Sequence, residues 1–219
     1  MINKKSIETV DKSNLNQYFK KPLYESYCFS NINNIIEYNL GLTNNLQCPN
    51  DILIYPDKKY KKVILFFIDG FGWRFFEKFS QSIFFKFAEK NGLINKFTSQ
   101  FPSTTSAHVT KIHTGLTVGE SGVFEWNYYE PKVDAIITPL IFSFVGDKKR
   151  DTLKNHIDPK KIFPKKTFYQ HLKKNGIKSY IFQHIEYTPS TYSNIVFKGA
   201  NIIPYKTLPR SHHKFIRIN

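Results

Sequence analysis

Residues 63–68, Val-Ile-Leu-Phe-Phe-Ile, form an uninterrupted apolar run that closes on Asp69-Gly70. A short run rich in β-branched and aromatic residues predicts a strand covered on both faces, as in a parallel sheet. Asp69 then stands at the carboxyl end of that strand, where open α/β sheets bind ligands. Gly70 and Gly72 let the chain turn sharply and approach a bound group closely. From residue 73 to 91 the period changes. Phe76, Phe79, Ile83 and Phe87 recur at steps of three and four, and Phe75, Phe84 and Ala88 widen the stripe. This predicts one long helix with an aromatic face in the core, ended by Gly92. Residues 93–100 read as a second strand. It leads to Phe101-Pro102, and a residue before proline is biased toward an extended conformation. Ser103 and Thr104 suit the N-cap of a helix over 105–114, which Gly115 stops. Strand, helix, strand, helix in this order predicts a right-handed parallel crossover with the two strand ends side by side. Asp69 and Thr105 then converge at one rim of the sheet.

The pattern elsewhere is weaker. Residues 15–27 and 32–42 carry faint helical periodicity, and Pro22, Pro49 and Pro56 punctuate the segment. Residues 52–55 read as a short strand. Residues 1–60 together read as a flank packed on the sheet. Beyond the second helix, GLTVGESGVFEW (115–126) is a glycine-rich loop, with Glu125, Trp126, Tyr128 and Tyr129 as candidates for a pocket rim. Residues 133–140 read as strand and turn. Residues 144–164, polar and rich in lysine, read as a mobile surface loop. A helix over 167–175, capped by Gly176, precedes a strand over 178–183 with His184 and Glu186 just after it. A loop over 187–193 and a short strand over 195–197 follow. The tail, 208–219, is basic and contains His212-His213.

Composition narrows the classes. A chain of 219 residues is long enough for a domain with a real core. Two cysteines, Cys28 and Cys48, do not make a disulfide framework and point to a reducing compartment. Neither a signal segment nor the roughly 18 apolar residues of a membrane span is present, so the expected location is cytoplasmic. Thirty-two Lys and Arg against 17 Asp and Glu give a net charge of +15. That balance favours anionic partners, but the lysines are spread along the chain and no nucleic-acid-binding motif is visible. Nucleic acid is not the expected partner.

Asp69 and Thr105 carry the chemistry. A threonine in the first turn of a helix lies at its positive end, beside unpaired backbone N–H groups that favour an anion. An aspartate nearby can hold a divalent cation that lowers the hydroxyl pKa. ILFFIDGFG, FPSTTSAHVTKIHTGL and VGESGVFEW together resemble the type I phosphodiesterase / nucleotide pyrophosphatase family of the alkaline phosphatase superfamily. The resemblance implies that Asp69 is a zinc ligand, and that Thr105 is both nucleophile and metal ligand. Thr104 is the neighbouring hydroxyl. With Ser106 and His108 it forms the candidate substrate-binding set. His108 stands where the family usually has an asparagine that touches phosphate, and a packed helix histidine is the equal alternative. His113 reads as a packed histidine. Ser121 stands where the family often has a histidine.

The resemblance also implies a two-metal site, and a zinc centre needs about three or four protein ligands per ion. The family takes the rest from a D-x-x-x-H motif, an adjacent Asp-His pair and a later histidine. None of these is present, and the nearest spacing runs from Asp151 to His156. The expected fold is therefore α/β, a mostly parallel sheet with flanking helices, alkaline-phosphatase-like and truncated. Residues 1–60 form its flank, 61–207 the amino-terminal half of the catalytic domain, and 208–219 the tail. The expected function is a metal-dependent phosphoester hydrolase acting on a phosphoester or nucleotide, incomplete alone, with a second polypeptide as the source of the missing ligands. The alternative is a non-catalytic remnant or anion-binding module.

Overall fold

In the computed structural model, which describes residues 1–207, the chain separates into two units at Thr105 and Ser106. Helices and short sheets together make it an α/β protein. No described helix is long and apolar enough to cross a membrane.

The first unit, Met1–Thr105, is organised around the extended segment 93–100. The Asn3 N–H donates to the Ile94 carbonyl (2.9 Å), and the Thr98 N–H donates to the Tyr27 carbonyl (2.8 Å). These contacts create isolated parallel bridges at Ile2–Ile94 and Cys28–Thr98. The segment thus pairs with the amino-terminal flank, and not with the 63–68 run that the crossover required. Helix α1, Lys4–Lys12, starts where the Asn3 side chain accepts from the Ser6 N–H. Helix α2 covers Ile32–Asn39. Val10, Tyr27, Cys48 and Ile52 form the core between them, with Leu23, Ile35 and Phe97 packed against it. Residues 15–27 are turns and bends, and 52–55 is not a strand: a 3-10 turn at Asn50–Ile52 comes first.

Two expectations from apolar pattern fail in this unit. The run 63–68 belongs to no paired strand, and its side chains are between 38% and 83% exposed. A strand buried on both faces needs neighbours on both edges, and among the described residues this unit supplies none. The long helix over 73–91 is two helices, α3 (Trp73–Phe79) and α4 (Ile83–Asn91). Ser80-Gln81-Ser82 separates them, and the Ser82 hydroxyl accepts from the Phe85 N–H to cap α4. A serine that can bond the backbone of the next turn favours a new start over continuation. Of the aromatic stripe only Phe76 is buried, while Phe79, Ile83, Phe84 and Phe87 are exposed.

The second unit begins with Ser106. Most of helix α5, Thr105–Thr114, lies in it, and the helix stops at Gly115, whose φ of 78° suits glycine. Helix α6, Val118–Ser121, is capped by Thr117 and Glu120 acting on each other's backbone. Strands β1 (Tyr128–Glu130), β2 (Ala135–Thr138) and β3 (Ser143–Phe144) form an antiparallel sheet in that order. Helix α7, Phe168–Lys174, is followed by β4 (Tyr180–His184), helix α8 (Thr191–Val196) and β5 (Asn201–Tyr205). β4 and β5 pair in parallel, from Tyr180–Asn201 to His184–Tyr205.

The core of this unit gathers Val123, Ile137, Phe142, Leu153, Phe163, Ile181, Val196 and Phe197. Leu153 and Phe163 correct the reading of 144–164 as a mobile surface loop. Two 3-10 turns, Thr152–Asn155 and Pro159–Lys161, fold that lysine-rich segment so that Leu153, Ile157, Ile162 and Phe163 are buried. The strand expected over 195–197 is the last turn of α8 and its cap. Taken together, the described strands form one small antiparallel sheet and one parallel pair, and the mostly parallel sheet expected from the sequence is not seen among them. The tail 208–219 with His212-His213 lies outside the described residues.

Gly199 sits where backbone meets backbone. Its φ is +102°, and a Cβ there would lie 2.7 Å from the Gln170 nitrogen and 2.8 Å from the Tyr169 carbonyl carbon. Neither atom belongs to a flexible side chain that can move aside. Gly199→Ala is expected to destabilise this unit by about 2 kcal/mol or more. Urea unfolding followed by circular dichroism measures it, and an unchanged midpoint would show that α7 and the 199 turn separate freely.

Candidate active site

Helix α5 begins at Thr105, directly after the residue expected to cap it, Thr104. Its first N–H groups have no carbonyl of their own helix to bond, so Thr105 stands at the positive end of a ten-residue helix. Asp69 leads into a turn at Gly70, where φ is +70°. The two side chains converge. The Thr105 hydroxyl donates to the Asp69 carboxylate, 3.4 Å from Oδ1 and 3.3 Å from Oδ2. This is long for an O–H···O bond, so the pair is loosely held. Asp69 is exposed and Thr105 half-buried, so solvent and small solutes reach both.

The other candidates are spread around this pair in sequence. Thr104 is half-buried, and its N–H donates to the Pro102 carbonyl at 3.1 Å. Ser106 is fully buried, and its hydroxyl has no hydrogen-bond partner among the described residues. His108, three residues along α5, is half-buried. Of the rim candidates, Trp126 and Tyr129 are exposed, while Tyr128 is buried and stacks on Phe124 with ring centres 4.6 Å apart. His184 lies at the end of β4, where its Nε2 meets the Lys206 carbonyl at 3.0 Å and its Nδ1 lies 3.6 Å from the Glu186 carboxylate.

His113 is packed. Its Nδ1 lies 2.7 Å from the Tyr169 hydroxyl, and the edge-on Phe197 ring has its centre 4.5 Å away. Burial pushes its pKa down to about 3 and pushes the Tyr169 hydroxyl upward. The role of Tyr169 was not legible in the sequence. It lies on a helix whose limits were readable, but nothing in its spacing named its partner.

The donor set bears on a divalent metal. Two oxygens bound to one tetrahedral ion at about 2.0–2.2 Å lie about 3.3–3.6 Å apart. The Asp69–Thr105 separation fits two corners of such an ion. It does not complete a centre, because among the described residues no group of three or more His, Cys, Asp or Glu side chains is placed to hold a metal.

A hydroxyl at the head of a helix beside a carboxylate is the arrangement of an activatable nucleophile. The family model for type I phosphodiesterase / nucleotide pyrophosphatase matches residues 63–208, about two thirds of the chain. The chain belongs to that family, and its lineage is that of phosphoester hydrolases acting with divalent metals on phosphoesters and nucleotides. No curated protein and no solved structure matches it.

The buried imidazole has a pH consequence. The folded state holds His113 neutral down to about pH 3, whereas unfolded histidine protonates near 6.5. The unfolded chain therefore binds more protons between these values. The stability from neutral His113 is complete above about pH 6.5 and declines as pH falls toward 3. His113→Gln is expected to flatten the dependence of the unfolding midpoint between about pH 7 and 5, above the range where carboxylates titrate. Parallel slopes for the two proteins would show that the imidazole is reached by water.

Proposed function

We propose that this chain is a metal-dependent phosphodiesterase or nucleotide pyrophosphatase of alkaline-phosphatase-like ancestry, with Thr105 as its nucleophile and Asp69 as a metal ligand. The convergence of the Thr105 hydroxyl and the Asp69 carboxylate supports this reading, across 36 positions of sequence. In the reaction the Thr105 oxygen attacks phosphorus opposite the leaving oxygen. The bond from phosphorus to the leaving group breaks, and the departing oxygen takes the electron pair. Water then hydrolyses the phospho-threonine and restores the hydroxyl. Asp69 orients the threonine by accepting its hydrogen bond. A divalent cation, zinc in this reading, supplies Lewis acidity that lowers the hydroxyl pKa. Thr104, Ser106 and His108 are the proposed contacts to the substrate phosphoryl group. The remaining metal ligands come from outside the described residues, a second polypeptide being the source that the sequence suggested.

A second reading rests on the position of Thr105 in the first turn of the ten-residue helix α5, whose positive end favours an anion. In it the chain is an anion- or nucleotide-binding module that uses the start of α5 without turnover.

Hydrolysis of bis-p-nitrophenyl phosphate with added zinc separates the two. Thr105→Ala is expected to reduce the rate to the uncatalysed background. Asp69→Asn is expected to raise the zinc concentration for half-maximal rate by about tenfold or more. Equal rates for the wild type and Thr105→Ala would refute the hydrolase reading. Tight nucleotide binding by both proteins without turnover would favour the module.

A further inference from the structure

Helix α5 is tied down at two points beyond its first turn. The Thr110 hydroxyl lies 3.0 Å from the Tyr192 hydroxyl of α8, and both residues are buried. One turn on, His113 meets the Tyr169 hydroxyl of α7 at 2.7 Å and packs against Phe197, which caps α8. Residues three apart share a helix face, so the two ties act on one side of α5. Each is a polar bond in an apolar surrounding. Tyr192 also packs edge-on against Phe163, with ring centres 5.2 Å apart. A buried hydroxyl that loses its partner is left with a desolvation penalty, so the bonds restrict the rotation and tilt of α5 more than apolar contact alone.

We propose that Thr110 and His113 are positioning residues for the nucleophile: through Tyr192 and Tyr169 they hold α5, and with it the Thr105 hydroxyl at its head, in one orientation. The inference rests on the hydrolase reading for its effect on rate, and on the helix alone for its mechanical part. Thr105 lies five residues from Thr110, roughly 7.5 Å along the axis at 1.5 Å per residue. A tilt of about 10° about the ties moves it by about 1 Å, and a displacement of that size costs up to about a hundredfold in a well-aligned reaction.

The test uses the full chain with zinc and bis-p-nitrophenyl phosphate. Thr110→Val keeps the side-chain volume and removes the hydroxyl, while Thr110→Ser keeps the hydroxyl. Thr110→Val is expected to lower kcat about tenfold at unchanged KM, well below its unfolding temperature. Amide exchange at residues 109–112 is expected to quicken about tenfold while exchange in β4 stays constant, and Thr110→Ser is expected to restore both. His113→Phe and His113→Gln form the matching pair at the second tie. Tyr192→Phe removes the first bond from the other side if Thr110→Val does not fold. Unchanged kcat in an active protein would overturn the proposal, whatever the exchange shows. A wild type no faster than Thr105→Ala would refute the hydrolase reading instead. Exchange then decides the mechanical part: quickening at 109–112 supports it, and none overturns it.

Discussion

The constraint on which the second unit depends is the burial of a polar helix. Seven of the ten residues of α5 are buried, and among them are two threonines, a serine, a lysine and a histidine. Placing such groups away from water costs free energy unless each finds a partner. Thr114 bonds back to the Thr110 carbonyl at 2.7 Å, and the Lys111 ammonium donates to the Gly115 carbonyl. Thr110 and His113 reach out to tyrosines on other helices. The positions of α7 and α8 are therefore set by hydrogen bonds as well as by apolar contact. A helix chosen for a greasy face would slide more easily. Ser106, beside the proposed nucleophile, is the one buried hydroxyl of α5 without a hydrogen-bond partner among the described residues.

At the head of the same helix the surroundings change. Thr105 is half-buried and Asp69 exposed, and the bond between them is long. Such a pair is organised but not locked. Its spacing is compatible with the shared cation of the proposed function, since two oxygens on one tetrahedral ion lie about 3.3–3.6 Å apart. A carboxylate and a hydroxyl alone satisfy only part of a zinc ion's coordination.

The first unit contrasts with this. Most apolar positions of 63–68, α3 and α4 are exposed, and exposed apolar patches mark contact areas or aggregation liabilities. Among the described residues, no strand pairs with 63–68. An apolar run becomes a buried strand only when other strands pair with its backbone and helices cover its faces. Here 93–100 makes its bridges with residues 2 and 28 instead, so the apolar pattern remains without the architecture that would bury it.

The sequence by itself determined local structure wherever caps and stops were explicit. Helix α5 runs from Thr105 to Thr114 and stops at Gly115, whose φ of 78° suits glycine, and α7 follows its cap Thr167 and ends before Gly176. These signals act within a few residues and do not depend on the rest of the chain. The family, too, was legible in short motifs. Only the tertiary structure decided which apolar residues are buried, which strands pair, and which tyrosines meet Thr110 and His113. Leu153 and Phe163 entered the core from a lysine-rich segment, and Phe84 and Phe87 stayed outside it from an aromatic stripe. Burial and pairing are properties of neighbours distant in the chain, and periodicity reports only what a segment offers to them.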